Sequence, residues 1–482
     1  MHDVEQLRTH VIRLCRAFLL AFVALSLWLA YWQVIRAPQL RADRNNPRAA
    51  ERVKLTEPGR LLTHDGKPVL ASEKSDEGWV LEYPGHDIYA HLTGYNASSG
   101  LQAPLHDALY SLGKYEDPVV TLLRGRPAGC DIALTINSRA QAVAQRMLQG
   151  QRGAVIALDP RNGAIRVMVS APDYDPPAVL ESPDDFTIFQ NNPERPELNR
   201  ALLGQYAPGS VLKILTAAAA IDTGFVKPTD RFHCSGQATV GGAVVHCRLA
   251  SGHGMIPFSW AFADSCNVIF AEVGRGMGPA KFREYVARFR LLDPPGLPLL
   301  ARGGRMAEMA GRNADVECAE AAFGQGATLV TPLAIARLSA TIAAGGVVMA
   351  PKLIERITNS RGRVVMRMAP ESLGAAVTPE TARVVTQLMV ETVDRGTGQR
   401  AQISGVKVAG KTGSAENPAG LPHAWFTGFA PADKPVVAVA VIIENGGAGG
   451  EVSAPIARQV MEALLNAERP AEQPRSARRR RG

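Results

Sequence analysis

Charge is absent from one stretch of this chain: the nineteen residues from Ala17 to Ile35 contain no Asp, Glu, Lys or Arg. About 20 apolar residues span a bilayer, so the run reads as a membrane anchor. No small-x-small site follows it closely, which sets aside a cleaved signal peptide. Trp28, Tyr31 and Trp32 sit near one end, where aromatic rings favour the interface. A buried helix of a globular core is the plainer alternative. Only sixteen residues precede the run, which leaves little room for signalling machinery on that side. Charge asymmetry is missing too. Arg8, Arg13 and Arg16 lie before the run, and Arg36, Arg41, Arg44 and Arg48 after it, so the flanking charge gives no orientation.

Cysteine is sparse, six residues in 482. Cys15 precedes the anchor, Cys130 and Cys318 stand apart, and Cys266 lies in a polar cluster described below. Only Cys234 and Cys247 share a turn-rich stretch, with Gly241-Gly242 between them. A hairpin there brings the two sulfurs together, and in an exported domain they are candidates for a disulfide contributing about 3 kcal/mol. The alternative is a metal site built from these cysteines with His233, His246 or His253. Zinc sites usually show tighter paired spacing, so the bridge is the expectation and no metal is expected.

What is present is enough apolar residue for two or more folded parts: 46% hydrophobic, with 45 Gly and 33 Pro. Three polar clusters, far apart in the chain, carry the chemistry. In the first, Pro208-Gly209 breaks the chain and Ser210 opens a helix-forming run through Ile221, ended by Gly224. Residues three apart share a helical face, so Ser210 and Lys213 can meet. A serine hydroxyl is a weak nucleophile that needs an adjacent base. Lysine serves as one only when burial and neighbouring positive charge depress its pKa. Val211, Leu212, Ile214 and Leu215 supply apolar surroundings. Alone, Ser-x-x-Lys is as well explained by a helix cap and a surface lysine.

The second cluster is Ser265-Cys266-Asn267. Its hydroxyl can relay a proton and its amide can hold a carbonyl, if a turn aims both into one cleft. The third, Lys411-Thr412-Gly413-Ser414, closes a predicted strand from Val406. Small residues there let a substrate backbone lie along the strand, and Lys411 offers a cation to a carboxylate. The N–H groups of Ser210 and Ser414 are candidates for an oxyanion hole. A polar turn and a strand end are the ordinary readings of these clusters taken singly.

Taken in order, Ser210-x-x-Lys213, Ser265-x-Asn267 and Lys411-Thr412-Gly413 resemble the signature of the penicillin-binding protein and serine β-lactamase superfamily. Asn199-Arg200-Ala201, Tyr206-Ala207-Pro208-Gly209, Phe323-Gly324-Gln325-Gly326 and His423-Ala424-Trp425-Phe426-Thr427-Gly428 are similar to segments of high-molecular-weight transpeptidases. The resemblance implies an α+β transpeptidase domain, an antiparallel sheet flanked by helices, with a small pedestal and one N-terminal transmembrane helix. It implies Ser210 as the acylated nucleophile and Lys213 as base. Ser265 and Asn267 would assist catalysis, and Lys411, Thr412, Gly413 and Ser414 would bind substrate. The implied activity is a peptidoglycan D,D-transpeptidase that cross-links stem peptides through a Ser210 acyl-enzyme and is acylated by β-lactams.

Residues 36–150 are too few for the glycosyltransferase of the bifunctional relatives, which points to the monofunctional class B. Asn45-Asn46-Pro47-Arg48 resembles the smaller actinobacterial-type members. Such enzymes work beside a polytopic glycan polymerase of the shape, elongation, division and sporulation (SEDS) family, on lipid-linked precursor polymer, with no cofactor and no nucleic acid. The resemblance places the catalytic domain outside the cytoplasmic membrane.

The expected organisation is a cytoplasmic tail 1–16, an anchor 17–35, a pedestal 36–150, a transpeptidase domain 151–467 and a basic tail 468–482. Hairpins at 153–169 and 424–443 should join in one antiparallel sheet, covered by a final helix with Ser453 as its N-cap. Arg60 to Ala71 reads as strand, Asp-Gly turn, strand. The tail holds four consecutive arginines and two prolines, a disordered composition. On an exported domain it meets anionic lipid or wall polymer, or nothing specific.

Overall fold

A computed structural model of the chain describes residues 2–36, 53–76, 78–115, 119, 123, 128–417 and 420–468. The basic tail from 469 onward and Asn45-Asn46-Pro47-Arg48 lie outside the described residues. At the N-terminus, His2–Ala30 is one α-helix, continued as a π-turn over Tyr31–Ile35. Among the described residues, Val4–Ile35 is the one helix long and apolar enough to cross a membrane. At its end Trp28 stacks on Tyr31, and Trp32 meets both rings edge-on.

The sheet that positions the site has five strands, in the order Ala409–Ala415, His423–Ala430, Val437–Ile443, Gly153–Leu158, Ile165–Ala171. Every neighbouring pair is antiparallel, and Gly153 to Leu158 pairs with Ile443 to Ala438. The two expected hairpins therefore meet edge to edge, joining the start and end of the domain. Because strand side chains alternate between faces, one strand feeds two cores. Val155 and Ala157 pack with Ala144, Leu148, Val460, Met461 and Leu464 of the Ser138–Leu148 and Ser453–Glu468 helices. Ala154, Ile156 and Leu158 face the other way, into the cluster holding Ile335, Leu338 and Ile342 of the Pro332–Ala343 helix. That helix starts where Thr331 accepts from the Ala334 N–H, with Pro332 in its first turn.

Ser453 does not act as the expected cap. It is the first residue of the final helix, fully buried, and its hydroxyl donates to the Ala424 carbonyl at 2.9 Å. The residue ties the helix to the sheet, which a buried hydroxyl needs more than a helix end needs a cap.

The second sheet has six strands in the order Val364–Arg367, Ile354–Thr358, Asp131–Leu134, Leu61–Leu62, Pro68–Ser75, Gly78–Glu82. The expected turn at Asp65-Gly66 lies between Leu61–Leu62 and Pro68–Ser75. Two of the strands come from beyond residue 350: Ile354–Thr358 pairs antiparallel with Asp131–Leu134. Thr135 sits at the junction of the two sheets, its hydroxyl donating to the Ile165 carbonyl at 2.7 Å and its N–H to the Leu353 carbonyl. Next to it, buried Asp159 accepts from both Arg161 and Arg166. Burial alone would raise its pKa. The hydrogen bonds and charge of Arg161, with Arg166, outweigh that and hold it below the usual carboxylate range.

Candidate active site

Ser210 lies in the short turn Gly209–Leu212, and the α-helix begins only at Lys213. The turn is held from beneath by glycine. Gly209 has a φ of +55° and its N–H donates to the Gly324 carbonyl at 2.8 Å. A Cβ on Gly324, itself at +87°, would stand 1.8 Å from the Gly209 oxygen. The Phe323-Gly324 segment thus packs directly against the backbone preceding Ser210.

From the other side the turn is fixed to the sheet. Trp425 Nε1 donates to the Ala207 carbonyl at 3.0 Å. Glu444 accepts from Arg200 Nε at 2.8 Å and from the Tyr206 hydroxyl at 2.7 Å through one oxygen. Arg200 is 1% exposed and also donates to the Arg195 and Glu194 carbonyls. Asn199-Arg200-Ala201 and Tyr206 are therefore structural supports of Ser210. Glu444 went unnoticed in the sequence; a lone acid after the apolar run Val436 to Ile443 was the available signal.

Lys213 is completely buried, and its Nζ gathers the first two clusters. It donates to Ser210 Oγ at 3.1 Å, to the Ser265 carbonyl at 2.7 Å, to Ser265 Oγ at 3.2 Å and to Asn267 Oδ1 at 2.7 Å. The Phe270 ring centroid is 5.4 Å away. Burial pulls the Lys213 pKa down from 10.5 to about 7, while the nearby Cys266 and Cys247 oppose the shift. Desolvation is the main lever; of the expected neighbouring cations Arg248 adds the same sign with less weight.

Ser265 is a non-glycine residue in the left-handed region, with φ of +61°. Asn267 opens the Asn267–Met277 helix, and its Nδ2 donates to the His246 carbonyl at 3.1 Å. The third cluster lies on the edge strand Ala409–Ala415, three residues shorter at its start than expected. A Cβ on Gly413 would approach Val211 at 3.1 Å, so strand and turn are in contact, and Ser414 is exposed at the cleft. Thr412 Oγ1 meets Thr397 Oγ1 at 2.6 Å. Thr397 is a site residue the sequence reading missed; its flanking Gly396 and Gly398 were the hint.

Lys411 is the surprise of the third cluster. Rather than presenting a cation, it is fully buried, donates to the Thr412 carbonyl at 3.1 Å and lies 5.8 Å from the Phe262 ring centroid. Burial first, then the Lys213 charge, hold its pKa well below the ordinary lysine value.

The expected Cys234–Cys247 bridge is not formed: none of the six cysteines is in a disulfide. Cys247 Sγ faces Cys266 Sγ at 3.8 Å and His253 Nδ1 at 3.3 Å instead of closing on Cys234.

A serine hydroxyl, a buried amine and an amide converging on one cleft match a known domain. The model of the penicillin binding protein transpeptidase domain matches residues 153–462, well over half of the chain. Peptidoglycan D,D-transpeptidase PbpA of Mycolicibacterium smegmatis is 31% identical, over 95% of this chain and 99% of its own length. This chain belongs to the penicillin-binding protein transpeptidase family. A more distant relative, peptidoglycan D,D-transpeptidase MrdA of Acinetobacter baumannii, is 27% identical, over 89% of this chain and 72% of its own. Among solved structures, the ceftriaxone acyl-enzyme of penicillin-binding protein A from M. tuberculosis superposes with a TM-score of 0.80 at 30% identity. It covers 86% of this chain and 99% of that one. As a penicillin-binding protein the chain has the α+β fold expected of it, and its three clusters lie together.

Proposed function

We propose that this protein is a D,D-transpeptidase of peptidoglycan, cross-linking stem peptides through an acyl-enzyme on Ser210, and that β-lactams acylate the same serine. The relatives that cover nearly its full length are transpeptidases, and solved neighbours include acyl-enzymes with ceftriaxone and imipenem. The observation that carries the reading is the buried Lys213 amine bonded to Ser210 Oγ at 3.1 Å, with a pKa of about 7.

The steps follow from those positions. Neutral Lys213 takes the Ser210 proton as Oγ attacks the carbonyl between the two terminal D-alanines. The oxyanion is stabilised by the N–H groups of Ser210 and Ser414. Ser265, in reach of Lys213, relays the proton to the departing D-alanine amine. An amine of a neighbouring stem then attacks the ester, giving its proton back by the same route. Asn267 holds Lys213 and the substrate carbonyl side, while Thr412, Gly413 and Ser414 line the strand on which the stem peptide lies. Lys411 acts from beneath that strand, as a buried neighbour of Lys213 rather than as an open carboxylate receptor.

The same reading covers the rest of the chain. Residues 17–35 anchor it in the cytoplasmic membrane with 1–16 inside, 36–150 form a non-catalytic pedestal, and 151–467 form the catalytic domain facing the wall. A SEDS-family glycosyltransferase supplies the uncross-linked, lipid-linked polymer. Labelling with a fluorescent penicillin tests the core of this: the wild type should label covalently and Ser210→Ala should not. Undiminished labelling of Ser210→Ala would sink the assignment. Incubation with uncross-linked polymer separates the activities, since dimeric stem peptides mark a transpeptidase and release of D-alanine alone a carboxypeptidase.

A further inference from the structure

Four metal-ligating side chains, from four separate segments, converge beside the Ser265–Asn267 turn. Cys234 ends the Arg231–Cys234 strand and Cys247 follows the Ala243–His246 strand. His253 precedes the Gly254–Pro257 strand, and Cys266 immediately precedes the Asn267–Met277 helix. Their ligand atoms all lie within 4.8 Å of one another.

The separations discriminate between a bridge and a metal. Cys247 Sγ stands 3.8 Å from Cys266 Sγ and 3.3 Å from His253 Nδ1. A tetrahedral zinc, with Zn–S of about 2.3 Å and Zn–N of about 2.0–2.1 Å, has edges of about 3.8 Å between sulfurs and about 3.5 Å from sulfur to nitrogen. A disulfide needs about 2.05 Å. Three thiols and an imidazole are also the soft donor set of a structural zinc site, with no position left for substrate.

The surroundings are those of a built site. Cys234, Cys247 and Cys266 are 1%, 8% and 0% exposed. The Cys247 N–H is itself fixed to the Gly236 carbonyl at 2.8 Å, and Gly254 pairs with Cys234 across the two short strands. The loose sequence spacing that argued against a metal reflects ligands drawn from separate strands and a helix start.

We propose that Cys234, Cys247, His253 and Cys266 bind a zinc-class divalent ion as a Cys3His site, and that this ion holds the Ser265–Asn267 turn in its working geometry. The link to the site is covalent and short. Cys266 sits between Ser265 and Asn267, both of which touch Lys213. His246, next to Cys247, supplies the carbonyl that fixes the Asn267 amide at 3.1 Å. One ion therefore clamps both attachments of Asn267, and it also supports the left-handed Ser265, whose backbone strain needs a surrounding restraint.

The test uses the full chain, solubilised in detergent and purified without chelators. Elemental analysis should find about one zinc per chain, and cobalt-loaded protein should show the intense visible bands of tetrahedral thiolate coordination. Outer contacts alone are worth roughly 10–100-fold in metal affinity, so Cys234→Ser and His253→Ala should each lose more than that, while Cys15→Ser keeps full zinc content. Stripping the ion should slow fluorescent-penicillin acylation of Ser210 on the order of tenfold, with recovery on adding zinc back. Should the ligand variants fail to fold, the zinc content of the wild type still decides. A wild type that labels with penicillin yet neither contains nor takes up zinc overturns the site, as does a Cys234–Cys247 disulfide in that labelled protein. Zinc that can be removed without changing acylation overturns its role at the turn.

Discussion

Lys213 donates to Asn267 Oδ1 at 2.7 Å, and that one bond joins the helix that begins at Lys213 to the helix that begins at Asn267. Both groups open their helices, so their backbones are fixed by helical hydrogen bonding while their side chains meet across the gap. Replacing Asn267 with Ala frees the Lys213 amine from one of its four partners and leaves its geometry loose. Misplacement of a reacting group by about 1 Å costs roughly 10²-fold. Asn267→Ala should therefore lower the acylation rate of Ser210 by about that factor, with little change in melting temperature. Stopped-flow or gel-based penicillin labelling measures it, and a wild-type rate would refute the role.

The pKa of Lys213 makes a second prediction. With the folded value lowered to about 7, the free amine that accepts the Ser210 proton predominates above pH 7. Acylation should rise through a midpoint near pH 7 and fall about tenfold per pH unit below it. The stability contribution follows the same sign. Between about 7 and 10.5 the unfolded chain binds the lysine proton and the folded chain does not, so stability rises with pH in that window. A pH–rate profile with its midpoint near 10 would show that burial does not depress this amine.

The pair Arg200–Glu444 supports the turn before Ser210, and Arg200 is almost entirely enclosed. Glu444→Leu would leave that guanidinium without its acid. Breaking a buried pair costs about 3–5 kcal/mol, so the variant should unfold markedly earlier in denaturant. Burial pushes the Glu444 pKa up, but the Tyr206 bond and the Arg200 charge overcome it and hold the value below 4.5. Its contribution is thus present above about pH 4.5 and is lost as pH falls through the lower folded value. Acid unfolding of wild type and Glu444→Leu should converge as that proton is taken up; parallel curves would count against the pair.

Gly324 tests the backbone under Ser210. An added methyl would stand 1.8 Å from the Gly209 oxygen, at a φ that other residues adopt only with strain of about 1–3 kcal/mol. Gly324→Ala should displace the Ser210 turn and reduce acylation by roughly 10²-fold. The distant Gly362→Ala, also at positive φ but with open space around it, controls for strain alone and should acylate normally. Equal acylation of both variants and wild type would remove Gly324 from the site's architecture.

Thr397 is a smaller lever. Thr397→Val removes its bond to Thr412 and should cost about 1 kcal/mol in the binding of a β-lactam or stem peptide. A changed acylation rate at saturating drug, with unchanged affinity, would contradict that assignment.

The sequence by itself determined the identity of the chemistry and most of the sheet. Three clusters of fixed residue type, the glycines that permit tight backbone, and the apolar runs within 153–169 and 424–443 are local patterns, and local patterns are legible. What it left undecided depends on groups far apart in the chain. Whether Lys213 is a base rests on its complete burial, and Lys411 is buried where the sequence offered an open cation. Ser453 gave up a cap for a bond to Ala424, and Ile354–Thr358 joined a sheet that began near residue 61. Cys234 and Cys247 looked like a pair because they were neighbours in sequence. Only the folded chain brings His253 and Cys266 to them, since the distance between two side chains depends on how whole elements pack.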